Sequence, residues 1–301
     1  MKSAVAIINR DKAGRAEVDK ALSSAGISGM VELVPGAEIE GRVRFHVEQG
    51  AKLVIVGGGD GSVGAAASAL KGGDATLGIL PLGTLNHFAR DLGIPFDLDQ
   101  AAALIAKGRE RLVDVAQVNG RTFVNNSAIG LYPLMVVDRE NQQHRLGRSK
   151  RLAMLVASFR TLAKFHDDRL TLTSNEGRSS VDTPLLFVGN NEYRVAMPGA
   201  GSREALDDGH LCVLVMRKKG VPGFLAATAR ALIGLAREDD MVRIDDVERL
   251  RVDSSRASLT LSIDGETCRM KPPLDYRIRK GALRVRVAAP KEATRRSGSK
   301  L

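Results

Sequence analysis

The amino-acid sequence predicts an α/β protein with an N-terminal parallel-sheet domain followed by a C-terminal antiparallel β-sandwich domain. Over roughly the first 110 residues, short apolar segments alternate with helical segments, a pattern typical of a parallel sheet covered on both faces. Beyond that point, segments of alternating polar and apolar residues are separated by turn residues, as in β-sandwiches. The chain has 301 residues, of which 44% are hydrophobic, and this suffices for two globular domains.

The N-terminal segments predict four strands and three helices in alternation. Short apolar runs, the second of them interrupted by Glu32, predict strands at 5–8, 30–34, 53–56 and 77–80. Helical patterns lie between them, at 16–25, 38–49 and 63–70. Gly26 stops the first of these helices, and Gly50 follows the second as a C-cap. In a sheet of this kind, ligands bind beyond the carboxyl ends of the strands.

The remaining segments predict mainly strands. These are residues 112–118, 121–126, 169–174, 183–189, 211–216, 248–252, 259–263 and 282–287. Two helical patterns interrupt them, at 150–165 and 224–237. We therefore predict an α/β domain over residues 1–112, a β-sandwich domain over 113–290, and a basic, disordered tail over 291–301.

The third predicted strand runs directly into the turn Gly57-Gly58-Gly59-Asp60-Gly61-Ser62. Glycines without Cβ atoms let the backbone approach a ligand, and successive free N–H groups there favour an anion such as phosphate. The helix that follows adds the positive end of its dipole. Asp60 would repel phosphate unless a metal ion or a water molecule lay between them. A phosphate site with its own carboxylate indicates a metal–nucleotide enzyme.

Two further segments carry candidate chemistry. Residues 81–87 follow the fourth predicted strand, so they and the glycine turn lie at neighbouring carboxyl ends and can face one cleft. The segment Asp264-Gly265-Glu266 is a strong hairpin signal with two acidic side chains at one turn.

Residues 53–62, 77–95 and 263–266, in this order, resemble the diacylglycerol kinase catalytic-domain family. The similarity is greatest to its soluble bacterial lipid kinases and their sphingosine-kinase relatives. The resemblance implies that the first domain is a nucleotide-binding domain. It also implies a lipid kinase that uses ATP and Mg²⁺ to phosphorylate a lipid hydroxyl of diacylglycerol or sphingoid type, with ATP–Mg²⁺ in the cleft between the domains.

The same resemblance implies roles for individual residues. Glu266 is the expected base, with Asp264 beside it and Asp60 as an organiser of metal and water. The expected nucleotide ligands are Asn9, Gly14, Gly58, Gly59, Asp60, Gly61, Ser62, Gly83, Thr84 and Asn86. A metal-binding turn is expected at the Asp208 carboxylate and the carbonyls of Ala205 and His210, where an ordinary Asp-Gly hairpin is the alternative. Gly83-Thr84 could also be a plain strand-to-helix turn with Thr84 as N-cap.

The sequence departs from the family pattern at three places in these loops. Ser62 stands where Thr is usual and keeps the hydroxyl, and Gly64-Ala65 replaces an Asn-Glu pair. His87 replaces an Asp in the second loop and removes a carboxylate from the surroundings of Asp60. A kinase of a soluble substrate such as NAD, and an inactive nucleotide- or lipid-binding regulatory protein, are the alternative functions.

The net charge of +10 favours an anionic partner. Residues 145–151 carry four basic side chains just before an apolar helical pattern, which suits peripheral contact with an anionic membrane or simply a solvated helix end. Aromatic residues make up 4% and no recognition motif is present, so we expect no nucleic-acid partner. With two cysteines and no apolar run long enough for a leader or a membrane span, we expect a cytoplasmic protein of undetermined oligomeric state.

Overall fold

The computed structural model describes residues 4–130, 168–194, 201–217 and 240–289, together with residues 222, 223, 226, 227 and 230. The helix predicted over 150–165, the basic segment 145–151 and the tail 291–301 lie outside these residues, as does most of the helix predicted over 224–237. The predicted fold class is confirmed, because an N-terminal parallel sheet is followed by an antiparallel β-sandwich. The domain boundaries at 112/113 and 290/291 stay predictions.

The described helices and strands follow the predicted alternation through residue 81. The helices are α1 (Arg15–Ser24), α2 (Ile39–Glu48), α3 (Asp60–Leu70), α4 (His87–Asp91) and α5 (Leu98–Lys107), with a 3-10 turn at Gly36–Glu38. The strands of the first half are β1 (Ala4–Asn9), β2 (Gly29–Val34), β3 (Leu53–Gly58), β4 (Thr76–Pro81), β5 (Arg109–Val118), β6 (Arg121–Phe123) and β7 (Asn126–Gly130). Those of the second half are β8 (Asp168–Ser174), β9 (Gly177–Thr183), β10 (Leu185–Asn190), β11 (Leu211–Met216), β12 (Met241–Val247), β13 (Arg249–Ser254), β14 (Leu259–Ile263), β15 (Glu266–Met270) and β16 (Leu274–Val287).

The first sheet begins with four parallel strands in the order β2-β1-β3-β4. The apolar side chains of β1, β3 and β4 are mostly buried between helices, as their hydrophobic runs predict, whereas Met30 and Leu33 of the edge strand β2 are exposed. Helices α1 and α5 contact each other, and α2 and α3 contact each other, so the sheet is covered by two helix pairs. The loops that carry the predicted site residues therefore extend from a sheet that is covered on both faces.

Strand β16 extends this sheet into the second half of the protein. Its end pairs in parallel with β4, Arg284 opposite Thr76 and Val285 opposite Leu77. Its earlier part pairs antiparallel with β13, and β5 pairs along most of its length. The β5 register shifts between Arg279 and Leu283, where the N–H of Gly281 donates to the Asp114 carboxylate over 2.7 Å. The first sheet therefore continues from one half into the other.

The second sheet is antiparallel, in the order β12-β11-β10-β7-β14-β15. It packs face to face on the β5, β8, β13 and β16 portion of the first sheet. Leu250 and Tyr276 from one side, and Val188 and Leu261 from the other, share a single buried core. This layer arrangement is the predicted sandwich.

Several elements differ from the sequence prediction. The strand predicted over 121–126 ends at Phe123, because Val124 and Asn125 leave the ladder, and β7 then begins at Asn126 and continues past the predicted segment to Gly130. The strand predicted over 183–189 is likewise divided at Pro184, which has no N–H to donate. Helices α4 and α5, strands β9, β12 and β15, and the first half of β16 were not predicted. In the first half of β16, polar residues alternate with the buried apolar ones, so this part of the strand contains no unbroken apolar run.

Leu283 tests whether the end of β16 is part of the N-terminal core. The side chain is fully buried among residues of the first core. Leu283→Ala should lower the free energy of unfolding by about 2–5 kcal/mol, because it leaves a cavity. Urea denaturation measures this. Arg284→Ala, on the same strand but with a side chain that is 38% exposed, should cost under about 1 kcal/mol. Equal losses for both variants would contradict the packing.

Candidate active site

Two loops meet where β3 and β4 end. Gly58 lies opposite Pro81 at the last paired position of these strands. The N–H of Leu82 donates to the carbonyl of Gly58 over 2.9 Å. A Cβ atom added to Gly83 would lie 2.4 Å from the Cα of Gly59, so no larger residue fits there. The two backbones are therefore in direct contact, and the predicted convergence of the loops is present.

Helix α3 starts at the first of these loops. Its N-terminal N–H groups lack intrahelical partners and face the same region as the second loop. Ser62 is buried in the first turn, and its hydroxyl accepts a long 3.4 Å hydrogen bond from the Asn9 side chain. Asn9 and Ser62, predicted as nucleotide ligands, thus lie side by side at the carboxyl ends of β1 and β3.

Asp60 binds the N-terminus of α4. Its Oδ2 accepts from the His87 N–H, and its Oδ1 accepts from the Phe88 N–H, each over 3.2 Å. A third hydrogen bond comes from the Asn125 side-chain amide, 3.2 Å from Oδ1. These three donors stabilise the negative charge of Asp60 within the glycine turn. The contact with His87 is through its backbone, and its ring is exposed.

Asn86 shapes the second loop from within. It is buried, has a left-handed φ of 48°, and precedes α4 as its N-cap residue. Its Oδ1 accepts from the Gly83 N–H over 3.0 Å, and its Nδ2 donates to the carbonyls of Gly83 and Pro81. The alternative of Thr84 as N-cap is wrong, since Thr84 is exposed on the loop and Asp60 supplies the capping hydrogen bonds.

The predicted hairpin joins β14 to β15. Asp264 and Gly265 both have positive φ, 48° and 86°, as a tight two-residue turn requires. The Asp264 carboxylate accepts three backbone N–H groups, from Val124 at 2.9 Å, Asn125 at 2.8 Å and Asn126 at 3.1 Å. Burial raises the pKa of Asp264 to about 6, while these hydrogen bonds and the Arg203 guanidinium oppose the rise.

Glycines on one face of α3 admit this hairpin. A Cβ atom on Gly64 would lie 3.1 Å from Oδ2 of Asp264, and one on Gly61 would lie 2.8 Å from Oε1 of Glu266. The Gly64 departure from the family pattern thus leaves room for a carboxylate. Glu266 is exposed, and its Oε2 accepts from Arg121 over 3.0 Å. Both predicted acids of the second domain therefore lie against α3.

A cleft of about 850 Å³ runs between these elements. Of the predicted site residues, those lining it are Asn9, Gly59, Asp60, Gly61, Ser62, Gly83, Thr84, Asp264 and Glu266. Gly58 and Asn86 support the loops from behind, and Gly14 is the N-cap of α1. Glu40 and Ser68 also line the cleft, and the Ser68 hydroxyl donates to the Glu40 carboxylate over 3.0 Å.

Sequence reasoning did not single out Asn125, Arg121 or Arg203. Asn125 contacts both Asp60 and Asp264, and Arg121 contacts Glu266. The signal that could have identified Asn125 is the run Val124-Asn125-Asn126, where two polar residues interrupt an otherwise strand-like segment. No local pattern marks Arg121 or Arg203, because their partners are distant in the sequence.

The proposed metal-binding turn lies at a second cavity of about 580 Å³ that includes Ala205, Asp208 and His210 in its lining. The carbonyl of His210 accepts the Asn191 N–H over 3.1 Å, and the N–H of Gly209 donates to Asp114 over 2.8 Å. Burial and the neighbouring acids Asp207 and Asp114 raise the pKa of Asp208. Within the described ranges, no three His, Cys, Asp or Glu side chains converge as a metal site. Binding through one carboxylate and two carbonyls stays a prediction.

Residues 5–118 match the diacylglycerol kinase catalytic domain family. Relatives described as probable lipid kinases, YegS-like, from Yersinia pestis (strain Pestoides F) and Yersinia pseudotuberculosis serotype O:1b (strain IP 31758) are 38% identical over 138 residues. These residues are 43% of this chain and 47% of each relative. The matched segment therefore spans about half the length of these curated relatives.

Solved structures share the whole fold. A diacylglycerol kinase from Bacillus anthracis str. Sterne is 22% identical, with a TM-score of 0.67 over 96% of this chain and 97% of its own. Another structure from the same organism is 24% identical, with a TM-score of 0.74 over 96% and 98%. Both domains thus recur together at low sequence identity.

Gly83 tests the contact between the two loops. Gly83→Ala should lower the free energy of unfolding by about 1–3 kcal/mol, because its Cβ would meet the Gly59 backbone and the Asn86 side chain. Gly41→Ala is the matched control, since Gly41 is helical and its Cβ position is open. It should stabilise the protein by about 0.5–1 kcal/mol. Urea denaturation measures both, and a neutral Gly83→Ala would refute the contact.

Asp264 should make stability depend on pH in a defined direction. The pKa of Asp264 is about 6 in the folded protein, and its ordinary value, expected in the unfolded chain, is 3.8. At pH values between these two, the folded protein holds a proton that the unfolded chain has released. Its contribution to the free energy of unfolding therefore rises as pH falls from 7 to 4.

The measurement is urea unfolding of wild type and Asp264→Asn at pH 4, 5, 6 and 7. The free energy of unfolding of wild type minus that of Asp264→Asn should increase from pH 7 to pH 4. The same difference for the control Asp275→Asn, which removes an exposed carboxyl, should increase less. A decrease toward pH 4 would show that the hydrogen bonds outweigh burial.

Proposed function

We propose that this chain, whose residues 5–118 belong to the diacylglycerol kinase catalytic domain family, is a kinase that transfers the terminal phosphate of ATP to a lipid hydroxyl with the aid of Mg²⁺. The observation that carries the proposal is the single cleft at which two glycine loops, Asp60 and the Glu266 hairpin converge. Phosphoryl transfer needs this combination, because positioning and charge neutralisation account for most of its catalysis.

The glycine loops are suited to the nucleotide phosphates. Gly59, Gly61 and Gly83 present backbone without Cβ atoms to the cleft, and the first turn of α3 adds N–H groups with the positive end of a helix dipole. Ser62 and Lys12 also line the cleft, and they carry a hydroxyl group and a positive charge.

Asp60 fits a role beside Mg²⁺. Asp60 lines the cleft, and among the described residues its Oδ1 accepts two hydrogen bonds and its Oδ2 only one, so Oδ2 keeps an electron pair for a further ligand. A carboxylate oxygen is a ligand that Mg²⁺ prefers, directly or through water. When bound, the ion would neutralise charge on the transferred phosphate. His87 contributes only its backbone N–H to Asp60, so the histidine leaves that contact intact.

Glu266 is suited to accept the proton of the attacking hydroxyl. It stands at the cleft mouth with 63% of its side chain exposed, so a hydroxyl can reach it. The Arg121 guanidinium donates to the carboxylate over 3.0 Å, which limits the orientations of the Glu266 side chain. Asp264 is instead occupied by three backbone N–H groups, so its part is to hold the hairpin that carries Glu266.

A lipid acceptor is supported by the similarity to the Yersinia relatives, which are described as probable lipid kinases. In the part of the chain that the structure describes, no helix has the length and apolar character to cross a bilayer. We propose that the protein reaches its substrate by peripheral contact, for which the basic segment 145–151 is the candidate. A diacylglycerol or sphingoid hydroxyl is the proposed acceptor.

The proposal is tested with radiolabelled ATP and Mg²⁺ against micelles containing diacylglycerol, sphingosine or a glycerophospholipid, and against NAD in solution. Wild type should label a lipid. Glu266→Gln should lower kcat by about 10²-fold or more, since it removes the proton acceptor. Glu248→Gln, which breaks an exposed pair with Lys280 away from the cleft, should stay within about twofold.

Other outcomes identify the alternatives. Transfer to NAD and to none of the lipids would replace the lipid kinase with a kinase of a soluble substrate. ATP binding by calorimetry without transfer to any acceptor would indicate a regulatory binding protein. An unchanged kcat for Glu266→Gln would refute Glu266 as the base.

A further inference from the structure

A buried network connects the cleft carboxylates from behind. Asn125 is 4% exposed and lies at the break between β6 and β7, where it has left both strands. Its Nδ2 donates to Oδ1 of Asp60 over 3.2 Å, and its backbone N–H donates to Oδ1 of Asp264 over 2.8 Å. Asn125 therefore contacts an acid from each domain.

Arg203 fixes the orientation of this amide. Its Nη2 donates to Oδ1 of Asn125 over 2.9 Å, so the oxygen must face the guanidinium and the nitrogen must face Asp60. The carbonyl of Asn125 accepts the Asn190 N–H over 2.8 Å. All four polar groups of Asn125 therefore have partners, and its side chain has one orientation.

The guanidinium is itself held rigidly. The Arg203 side chain is fully buried, and its Nε donates to Oδ2 of Asp91 over 2.7 Å. Its Nη1 donates to the carbonyls of Val124 and Asn190, and the rings of Phe88 and Tyr193 lie within 5.7 Å and 5.2 Å of its Cζ atom. A planar guanidinium can satisfy several acceptors at once, which lysine cannot.

These contacts close into a ring around α4. Asp60 binds the first N–H groups of α4, Asp91 at the other end of α4 binds Arg203, and Arg203 binds Asn125, which returns to Asp60. A helix of five residues is too short to be stable by itself. Its position, and with it that of the preceding glycine loop, depends on the ring.

We propose that Asn125 is a positioning residue, held by Arg203, that sets the Asp60 carboxylate in place for phosphoryl transfer. The inference rests on the proposed kinase function. Asn125 acts through Asp60 rather than on substrate, so its loss should affect the transition state more than nucleotide binding. The glycine loops and α3 still contact the nucleotide when the amide is removed.

The experiment is a double-mutant cycle on turnover. Asn125→Ala should lower kcat at least about tenfold and leave KM for ATP within about threefold. In an Asp60→Asn background the same change should lower kcat by less than about twofold, because the group through which it acts is already gone. A further tenfold loss in that background would overturn the proposal.

Two variants separate positioning from folding. Asn125→Asp keeps the shape of the side chain and the oxygen that faces Arg203, but it places a second oxygen toward Asp60. Its kcat should therefore fall as that of Asn125→Ala does, and an unchanged kcat would refute the proposal.

Gln117→Ala is the matched control. Gln117 is another buried amide, bound to Arg277 and to Thr122, and contacts neither carboxylate, so kcat should stay within about twofold.

A stability cycle keeps this inference apart from the proposed function. The urea midpoints of Asn125→Ala, Asp60→Ala and the double variant need no turnover. The double variant should lose less than the sum of the two single losses, because both remove one interaction. Additive losses would refute the contact. Absence of phosphate transfer by wild type, with coupled midpoints, would refute the kinase function alone.

Discussion

The Asp264 carboxylate is the point at which the two halves of the protein are joined beside the cleft. It accepts three consecutive backbone N–H groups, from Val124 and Asn125 between β6 and β7 and from Asn126 at the start of β7, and it lies against Gly64 of α3. Buried N–H groups require partners, so this segment can leave its sheet only because the carboxylate is there. The hairpin position, and hence that of Glu266, follows from the same contact.

The cleft therefore owes its shape to backbone contacts more than to large side chains. Gly59 and Gly83 touch, Gly61 and Gly64 admit two acids, and Asp60 caps α4 from a neighbouring loop. Small residues at these positions give a surface of amide groups with acids at fixed places. Such preorganisation favours charge stabilisation without rearrangement of the site.

Sequence reasoning predicted the elements whose signals are local. The buried strands up to Pro81, both glycine loops and the Asp264-Gly265 hairpin are encoded by adjacent residues, and the structure has them. The capping of α4 by Asp60 could not be predicted, because donor and acceptor are 27 residues apart. Arg203 and Asn125 are separated by 78 residues, and nothing in either neighbourhood indicates the other. Asn86 was correctly associated with its loop, but only the structure shows that its amide is bound by the loop itself.

Strand β16 relates the order of synthesis to the completeness of the first domain. Strand β4 pairs with β3 on one side and with β16 on the other, and β5 reaches the sheet only through β16. Until residues 284 and 285 have left the ribosome, β4 is an unpaired sheet edge, and such edges can pair with other chains. The cleft loops, although encoded before residue 90, thus acquire their complete support only after residues 284 and 285 have been synthesised. A nascent or truncated chain would carry the glycine loops on an unfinished sheet.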